Sequence, residues 1–331
     1  MAFRDVLGHT QPIEWLQRAI RNGKVGHSYL FLGNDGIGKR WVALQFAKTL
    51  NCIEGGDERG DACDQCLSCR KIDEGMHPDV LILEPENQTL KVNQVRQIQR
   101  DLAYRPYEGK RRFCILGGAD RMAPNMSNIL LKTLEEPPLH TILILLANNS
   151  KLLLPTILSR CQILRFSPLS VPVVSKWLVE NKGLSEQEAH LAASLSEGSI
   201  GRALVLKERM EQIGREDLLT KWVRLREFPF QVIQDRVDSL PSDREDLLVV
   251  LELTKTLLRD LLIAKISEDD SRLIHSDLSK EIRVIASEQS LPSLMKRMEV
   301  LHETTLAISP MRGNANTKLA LEAMMLSWSE G

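Results

Sequence analysis

The sequence predicts an α/β domain with a parallel β-sheet, followed by a chain that is helical to its end. A strand at residues 28–32 runs directly into a glycine-rich loop and a helix, and residues 141–147 form a nearly uninterrupted apolar run. Such a run is too short for a membrane and is typical of a strand covered on both faces. Strand-type runs stop near residue 166 and helical spacing replaces them, which predicts the helical part.

The elements before residue 166 alternate between strands and helices. Short β-rich runs predict five strands, at residues 28–32, 79–83, 111–116, 141–147 and 161–166. Apolar side chains at helical spacing predict three helices, at residues 7–22, 41–50 and 91–102. A further helix ends at Leu134, because Pro137 and Pro138 cannot continue it. Pro155 suits the first turn of a short helix before the last strand.

Helical patterns fill the rest of the chain, with composition changes near residues 166 and 206. Beyond a helix that starts after Gly198, the pattern predicts helices at residues 174–180, 186–196, 208–226, 228–240, 244–266, 277–289, 291–308 and 316–327. We therefore expect three regions, at residues 1–166, 167–206 and 207–331.

Composition excludes several classes of protein. The chain has 331 residues, a net charge of −1 and a pI near 6.7, which argues against a protein that coats nucleic acid unaided. The N-terminal stretch is amphipathic and contains acids, so we expect no signal peptide and a cytoplasmic protein. No run approaches ~18 apolar residues, so we expect no membrane span. Six cysteines without an export signal favour metal binding or free thiols over disulfides.

A phosphate-binding loop follows the first strand. Gly33, Gly36 and Gly38 with Lys39 match the GxxxxGK pattern in its strand–loop–helix context. The glycines let backbone N–H groups turn toward phosphate oxygens, and the helix N-terminus adds its positive dipole. Lys39 would reach the terminal phosphates. The alternative is an ordinary glycine-rich turn between a strand and a helix.

The loop departs from a working ATPase in its metal ligands. The residue after the lysine is normally Ser or Thr, whose hydroxyl binds Mg²⁺, but here it is Arg40. The acidic strand of P-loop enzymes ends in an Asp, but here Gly117 and Gly118 follow the strand. Asp120 comes three residues too late and suits the turn that opens the next helix. The sequence therefore predicts a phosphate cradle without its magnesium-holding groups.

Four cysteines form a second motif, with the spacing C-x₁₀-C-x₂-C-x₂-C. Cys52, Cys63, Cys66 and Cys69 lie in a polar, glycine-containing stretch, which suits a closed tetrahedral Zn²⁺ site. The alternatives are an iron–sulfur cluster, which usually has a fourth Cys followed by Pro, and four unligated thiols. No open coordination position is evident, and His77 is expected to be a loop residue, so the metal would be structural.

Together these motifs resemble the bacterial clamp-loader subunits of the AAA+ class over essentially the whole chain. The most specific matches are residues 131–138 (LKTLEEPP), 154–157 (LPTI) and 159–161 (SRC), together with the four-cysteine module. The resemblance implies a RecA-like AAA+ domain at residues 1–166 with the zinc module at 52–69. It further implies a helical lid at 167–206 and a helical collar for oligomerisation at 207–331.

Within that family, the chain resembles a subunit that does not hydrolyse ATP. The gamma/tau motor subunits have a lid arginine in a Gly-Ser-x-Arg pattern, but here the register gives Gly201, and Arg202 is rotated ~100° around the helix. The resemblance therefore implies a subunit of the DNA polymerase III holoenzyme, a nucleotidyltransferase, without catalysis of its own. ATP or ADP would bind weakly or not at all.

The resemblance assigns Arg160, with Ser159, to an arginine finger that acts in trans on the nucleotide of a neighbouring subunit. A guanidinium is planar, always charged and able to bridge two phosphate oxygens. The alternative is a solvated surface residue or an ion pair with Glu135 or Glu136. The implied partners are gamma/tau and delta subunits in a hetero-oligomeric ring, and indirectly the beta sliding clamp and primer–template DNA.

Two other functions stay open at this point. One is an active clamp-loader ATPase motor, with an acid recruited from Glu84 or Asp120. A zinc-dependent nucleic-acid-binding module is the third hypothesis, and weak salt dependence of DNA binding would count against it.

Overall fold

The computed structural model describes residues 2–84, 102, 104–122, 124–210, 217–223, 230–308 and 316–329. The chain forms two compact units. The first comprises Met1–Leu169 with Ser199–Gly201, and the second comprises Ser170–Gly198 with Arg202–Gly331.

The first unit contains a parallel sheet of five strands. The strands are β1 (Ser28–Leu32), β2 (Val80–Leu83), β3 (Arg112–Leu116), β4 (Thr141–Ala147) and β5 (Gln162–Arg165). Their order in the sheet is β2-β3-β4-β1-β5, and every pairing is parallel. Each observed strand begins and ends within one residue of its predicted bounds, so the predicted α/β fold with a parallel sheet is confirmed.

Six helices of the first unit lie among the described residues. They are α1 (Thr10–Arg21), α2 (Lys39–Asn51), α3 (Gly56–Arg59), α4 (Leu67–Asp73), α5 (Pro124–Glu135) and α6 (Pro155–Leu158). The last of them is the predicted one-turn helix that begins at Pro155. Apart from Leu102, the helix predicted at residues 91–102 lies outside the described residues.

The central strands β1 and β4 are buried on both faces, and their successive side chains point to opposite sides. Tyr29 and Phe31 of β1 lie in one core cluster with Phe46 of α2. Leu30 of β1 lies in the other cluster, with Leu134 of α5. The sheet is therefore the middle layer of three.

The second unit is helical throughout its described residues. Its helices are α7 (Val171–Lys182), α8 (Glu186–Leu195), α9 (Ile200–Met210), α10 (Phe230–Asp238), α11 (Arg244–Ile266), α12 (Ser279–Glu288), α13 (Leu291–Ile308) and α14 (Thr317–Ser329), with a π-helical turn at Leu218–Val223. The helix predicted to begin at residue 208 is wrong in its start, because α9 continues to Met210 without a break. Most of the other predicted helices agree closely with the structure. None of the described helices combines the length and the apolar character that a membrane span needs.

The core of the second unit is built around α11. Leu251, Leu257 and Leu261 of this helix are fully buried in the same cluster as Trp328 of α14. Buried Arg297 of α13 donates to the carbonyl oxygen of Trp328 at 3.1 Å. This bond satisfies a buried charged donor and fixes α14 against α13.

The central position of β4 makes its side chains a test of the fold. Ile144 is 0% exposed, whereas Ile163 on the edge strand β5 is 40% exposed. Ile144→Ala should lower the free energy of unfolding by about 2–5 kcal/mol, because a cavity remains in the closed core. Ile163→Ala should cost less than about 1 kcal/mol. The midpoint of urea unfolding, followed by circular dichroism, checks both values, and equal losses for the two variants would contradict the strand order.

Candidate functional site

The phosphate-binding loop leaves the carboxyl end of β1 and requires glycine at specific positions. Gly36 and Gly38 have φ values of 69° and 110°, which side chains rarely adopt. At Gly33, an added Cβ would lie 2.6 Å from the carbonyl oxygen of Phe166. Gly38 is also the residue that precedes α2, so the loop ends at a helix N-terminus, where a positive dipole would favour an anion.

The Lys39 side chain is folded back against this loop. Its ammonium donates to the carbonyl oxygens of Gly33 and Asn34, the latter at 2.9 Å, and to Oδ1 of Asn148 at 2.9 Å. Only 6% of Lys39 is exposed, and this burial lowers the pKa of its ammonium. An ammonium has three N–H donors. All three of them therefore face oxygen atoms of the chain itself.

Arg40 occupies the position where a hydroxyl would bind magnesium, and it forms an ion pair with Glu84 at the end of β2. Both side chains are about half exposed. Gly117 and Gly118, at the end of β3, line the same cavity of about 730 Å³. The two glycines thus lie beside the loop, where a P-loop enzyme has its acidic residues. Neither glycine offers a carboxylate.

Three further polar residues at this edge of the sheet, Asp35, Arg121 and Asn148, were not predicted from the sequence. Asp35 accepts hydrogen bonds from Arg121 and from Nδ2 of Asn148, the latter at 2.6 Å. Oδ2 of Asp120 accepts the backbone N–H of Asn148 at 2.9 Å, and that of Asn149 at the same distance. Asn148 directly follows β4, and this position at the carboxyl end of a buried strand was the available signal.

Arg160 lies at the edge of the sheet formed by the amino ends of the strands, whereas the phosphate-binding loop lies at the edge formed by their carboxyl ends. The hydroxyl of Ser28, the first residue of β1, donates to the carbonyl oxygen of Arg160 at 2.7 Å. Gly33 follows the last residue of the same strand, so the strand separates the two sites by about 15 Å at ~3.3 Å per residue. An arginine side chain is shorter than this distance.

The guanidinium of Arg160 has contacts from two helices. Its Nη1 donates to the carbonyl oxygen of Thr156 at 3.1 Å and to Oγ of Ser159 at 3.3 Å, both at α6. Its Nη2 lies 2.8 Å from Oε1 of Glu135, at the end of α5. The ion pair that the sequence allowed as an alternative interpretation is therefore formed, and 36% of the arginine side chain remains exposed.

The four cysteines of the second motif converge. Ligand atoms of Cys52, Cys63, Cys66 and Cys69 all lie within 4.8 Å of one another, and the sulfurs of Cys63 and Cys69 are 3.9 Å apart. Tetrahedral zinc with Zn–S bonds of ~2.3 Å needs sulfurs about 3.8 Å apart. This spacing leaves room for one ion and not for a multi-iron cluster, so the residues fit a structural zinc.

Backbone N–H groups donate to two of the sulfurs and so favour the thiolate form. The N–H of Cys66 lies 3.2 Å from Sγ of Cys63, and that of Cys69 lies 3.5 Å from Sγ of Cys66. Burial raises the pKa of the Cys66 thiol, but N–H donors from Cys69 and Ile53 outweigh it and lower the pKa to about 7. The thiolate is the form that binds zinc.

A buried lysine connects the cysteine module to α2. Lys48 is fully buried and forms ion pairs with Asp64, beside Cys63, and with Asp73, at the end of α4. The α2 helix that holds Lys48 begins at the phosphate-binding loop. Sequence reasoning missed this residue, because a lysine on a helix is usually a solvated one.

The fold and the site define a P-loop domain of the AAA+ class with an inserted four-cysteine centre. The family model described as "DNA polymerase III, delta subunit" matches residues 8–170, and the model of the C-terminal part of that subunit matches residues 234–330. The chain therefore belongs to the delta-type subunit family of DNA polymerase III.

Delta′ subunits are among the relatives that match along nearly the whole chain. DNA polymerase III subunit delta′ of Bacillus subtilis is 29% identical over 98% of this chain and 98% of its own. The delta′ subunit of Haemophilus influenzae is 28% identical over 89% of this chain and 88% of its own. Subunit tau of Escherichia coli is 32% identical, but the match covers 67% of this chain and 35% of tau.

The cysteine geometry predicts about one zinc per purified chain, measured by mass spectrometry of the metal content. Cys69→Ser should lower the zinc content several-fold and make residues 52–73 sensitive to protease, because metal binding stabilises such modules by on the order of 10–16 kcal/mol. Cys161→Ser, outside the cluster, is the matched control and should retain the metal. A metal-free or brown purified protein would contradict the assignment.

Proposed function

We propose that this chain is a non-hydrolysing, delta′-type subunit of the clamp loader of DNA polymerase III. Its Arg160 acts in trans on ATP bound to a neighbouring gamma/tau-type subunit. The observation that supports this proposal most directly is the position of Arg160 at the edge of the sheet opposite its own phosphate-binding loop. A guanidinium there serves a nucleotide only if another chain brings that nucleotide to it.

The backbone of Arg160 is held in place, which suits an arginine finger. The arginine follows a one-turn helix between two strands, and its carbonyl oxygen is tied to Ser28. Its backbone N–H donates to Ile157 at 3.1 Å, so both backbone groups are held. An arginine finger needs a rigid base and a solvent-facing tip, because it meets a phosphate on another molecule.

The chain's own pocket lacks the groups that catalysis needs. Arg40 brings a positive charge where magnesium would sit, and it is already paired with Glu84. Oδ2 of Asp120, the other acid considered for catalysis, accepts two backbone N–H groups. Gly117 and Gly118 offer no side-chain oxygen. We therefore propose that this pocket does not turn over ATP.

Nucleotide binding in this pocket is proposed to be weak or absent. A phosphate would have to displace the three oxygens that surround the ammonium of Lys39. It would also compete with Asp35, which pairs with Arg121 at the same edge. The cations of this pocket thus already have partners within the chain, which are neutral oxygens for Lys39 and the Asp35 carboxylate for Arg121.

The rest of the chain would serve assembly. We propose that residues 167–206 act as a lid and residues 207–331 as a collar in a hetero-oligomeric ring with gamma/tau and delta subunits. That ring would open the beta sliding clamp and load it onto primer–template DNA. The zinc module would be structural, since all four of its ligand positions are filled by cysteines.

The purified single chain should show no magnesium-dependent ATP hydrolysis above background, measured by phosphate release. Arg40→Thr alone should not restore turnover, because Gly117 and Gly118 still lack carboxylates. A gamma/tau-type subunit is the positive control. Turnover by the single chain that Lys39→Ala abolishes would identify an active motor subunit instead.

Arg160→Ala in the reconstituted complex should stop hydrolysis at one neighbouring site, since an arginine finger contributes a factor of ~10³–10⁵ in rate. The phosphate burst in a single turnover should fall by about one ATP per complex. Arg160→Lys should recover little, because an ammonium cannot bridge two oxygens in the same way. Lys39→Ala should change the burst much less, and a reversed order of these two effects would refute the assignment of roles.

A further inference from the structure

Glu135 is the acidic residue that meets Arg160, and it has no role so far in the proposed function. It is the last residue of α5 and is 51% exposed, with its Oε1 2.8 Å from Nη2 of Arg160. Its neighbour Glu136 is exposed and forms no ion pair among the described residues. The pairing is therefore selective between two adjacent glutamates.

Glu135 contacts the guanidinium of Arg160 from a different helix than the other contacts do. The two contacts of Nη1, with Thr156 and Ser159, come from the same short helix that holds the arginine. Among the described residues, Glu135 alone reaches the guanidinium from a different helix. Two contacts on one nitrogen and one on another set the orientation of a planar group.

The pairing leaves part of the guanidinium available. Arg160 has five N–H donors, and its three observed contacts use two on Nη1 and one on Nη2. The Nε–H and the second Nη2 hydrogen stay open to another acceptor. Arg160 can therefore keep its bond to Glu135 while it donates to a phosphate oxygen.

We infer that Glu135 is a positioning residue for Arg160, which holds the guanidinium so that its open donors face a phosphate of the neighbouring subunit. This inference rests on the proposed function of Arg160. A half-exposed arginine samples many rotamers without such a partner, and a misplacement of about 1 Å costs on the order of 10²-fold in rate. Glu135 acts through Arg160 and does not contact the nucleotide.

The test uses the reconstituted complex and single-turnover ATP hydrolysis. Glu135→Ala should lower the rate at the affected site by ~10- to 100-fold with an unchanged KM for ATP, because orientation and not substrate binding is lost. Glu135→Gln keeps an acceptor oxygen at the same place and should lose less. Glu136→Gln is the matched control and should behave as the unmodified complex. Light scattering checks that every variant assembles.

A double-mutant cycle separates positioning from a structural role. In the Arg160→Ala background, Glu135→Ala should have no further effect, because the group it orients is absent. A further loss in that background, an unchanged rate in the single variant, or a faster rate would overturn the inference. An Arg160→Ala complex with full activity would instead overturn the proposed function itself.

Discussion

The parallel pairing of β1 between β4 and β5 is the constraint on which the rest of the first unit depends. Tyr29 pairs with Ile144 on one side and with Gln162 on the other, which sets the three strands in one direction. Residues that follow the strands therefore gather at one edge, and residues that precede them gather at the other. A shift of one residue would reverse the faces of β1 and expose its core side chains.

This polarity gives the two edges of the sheet different chemistry. The carboxyl edge has the phosphate-binding loop, and there Lys39 meets backbone oxygens and Arg40 meets Glu84. Each cation already has partners within the chain, which a phosphate would have to displace. At the amino edge, Arg160 keeps unused donors beside Glu135.

The cysteine module is held by two kinds of interaction. The thiols of Cys52 and Cys69 are buried together with Ala2 and Ala62, in a cluster too small to fold alone. Lys48 adds a buried ammonium between Asp64 and Asp73, and removal of either acid would leave charge imperfectly paired in the interior. Metal ligation by the four cysteines would therefore add to this ion pair in stabilising the same short segment.

The sequence alone determined the strands, most helices, the phosphate-binding loop, its missing hydroxyl and carboxylates, and the convergence of four cysteines. These features follow from residue type and short spacing, which act over a few residues. Only the tertiary structure decided that Arg160 and the loop lie at opposite edges, and that Arg40 pairs with Glu84. Such partners are far apart in the chain, and they meet through the strand order, which no local pattern specifies.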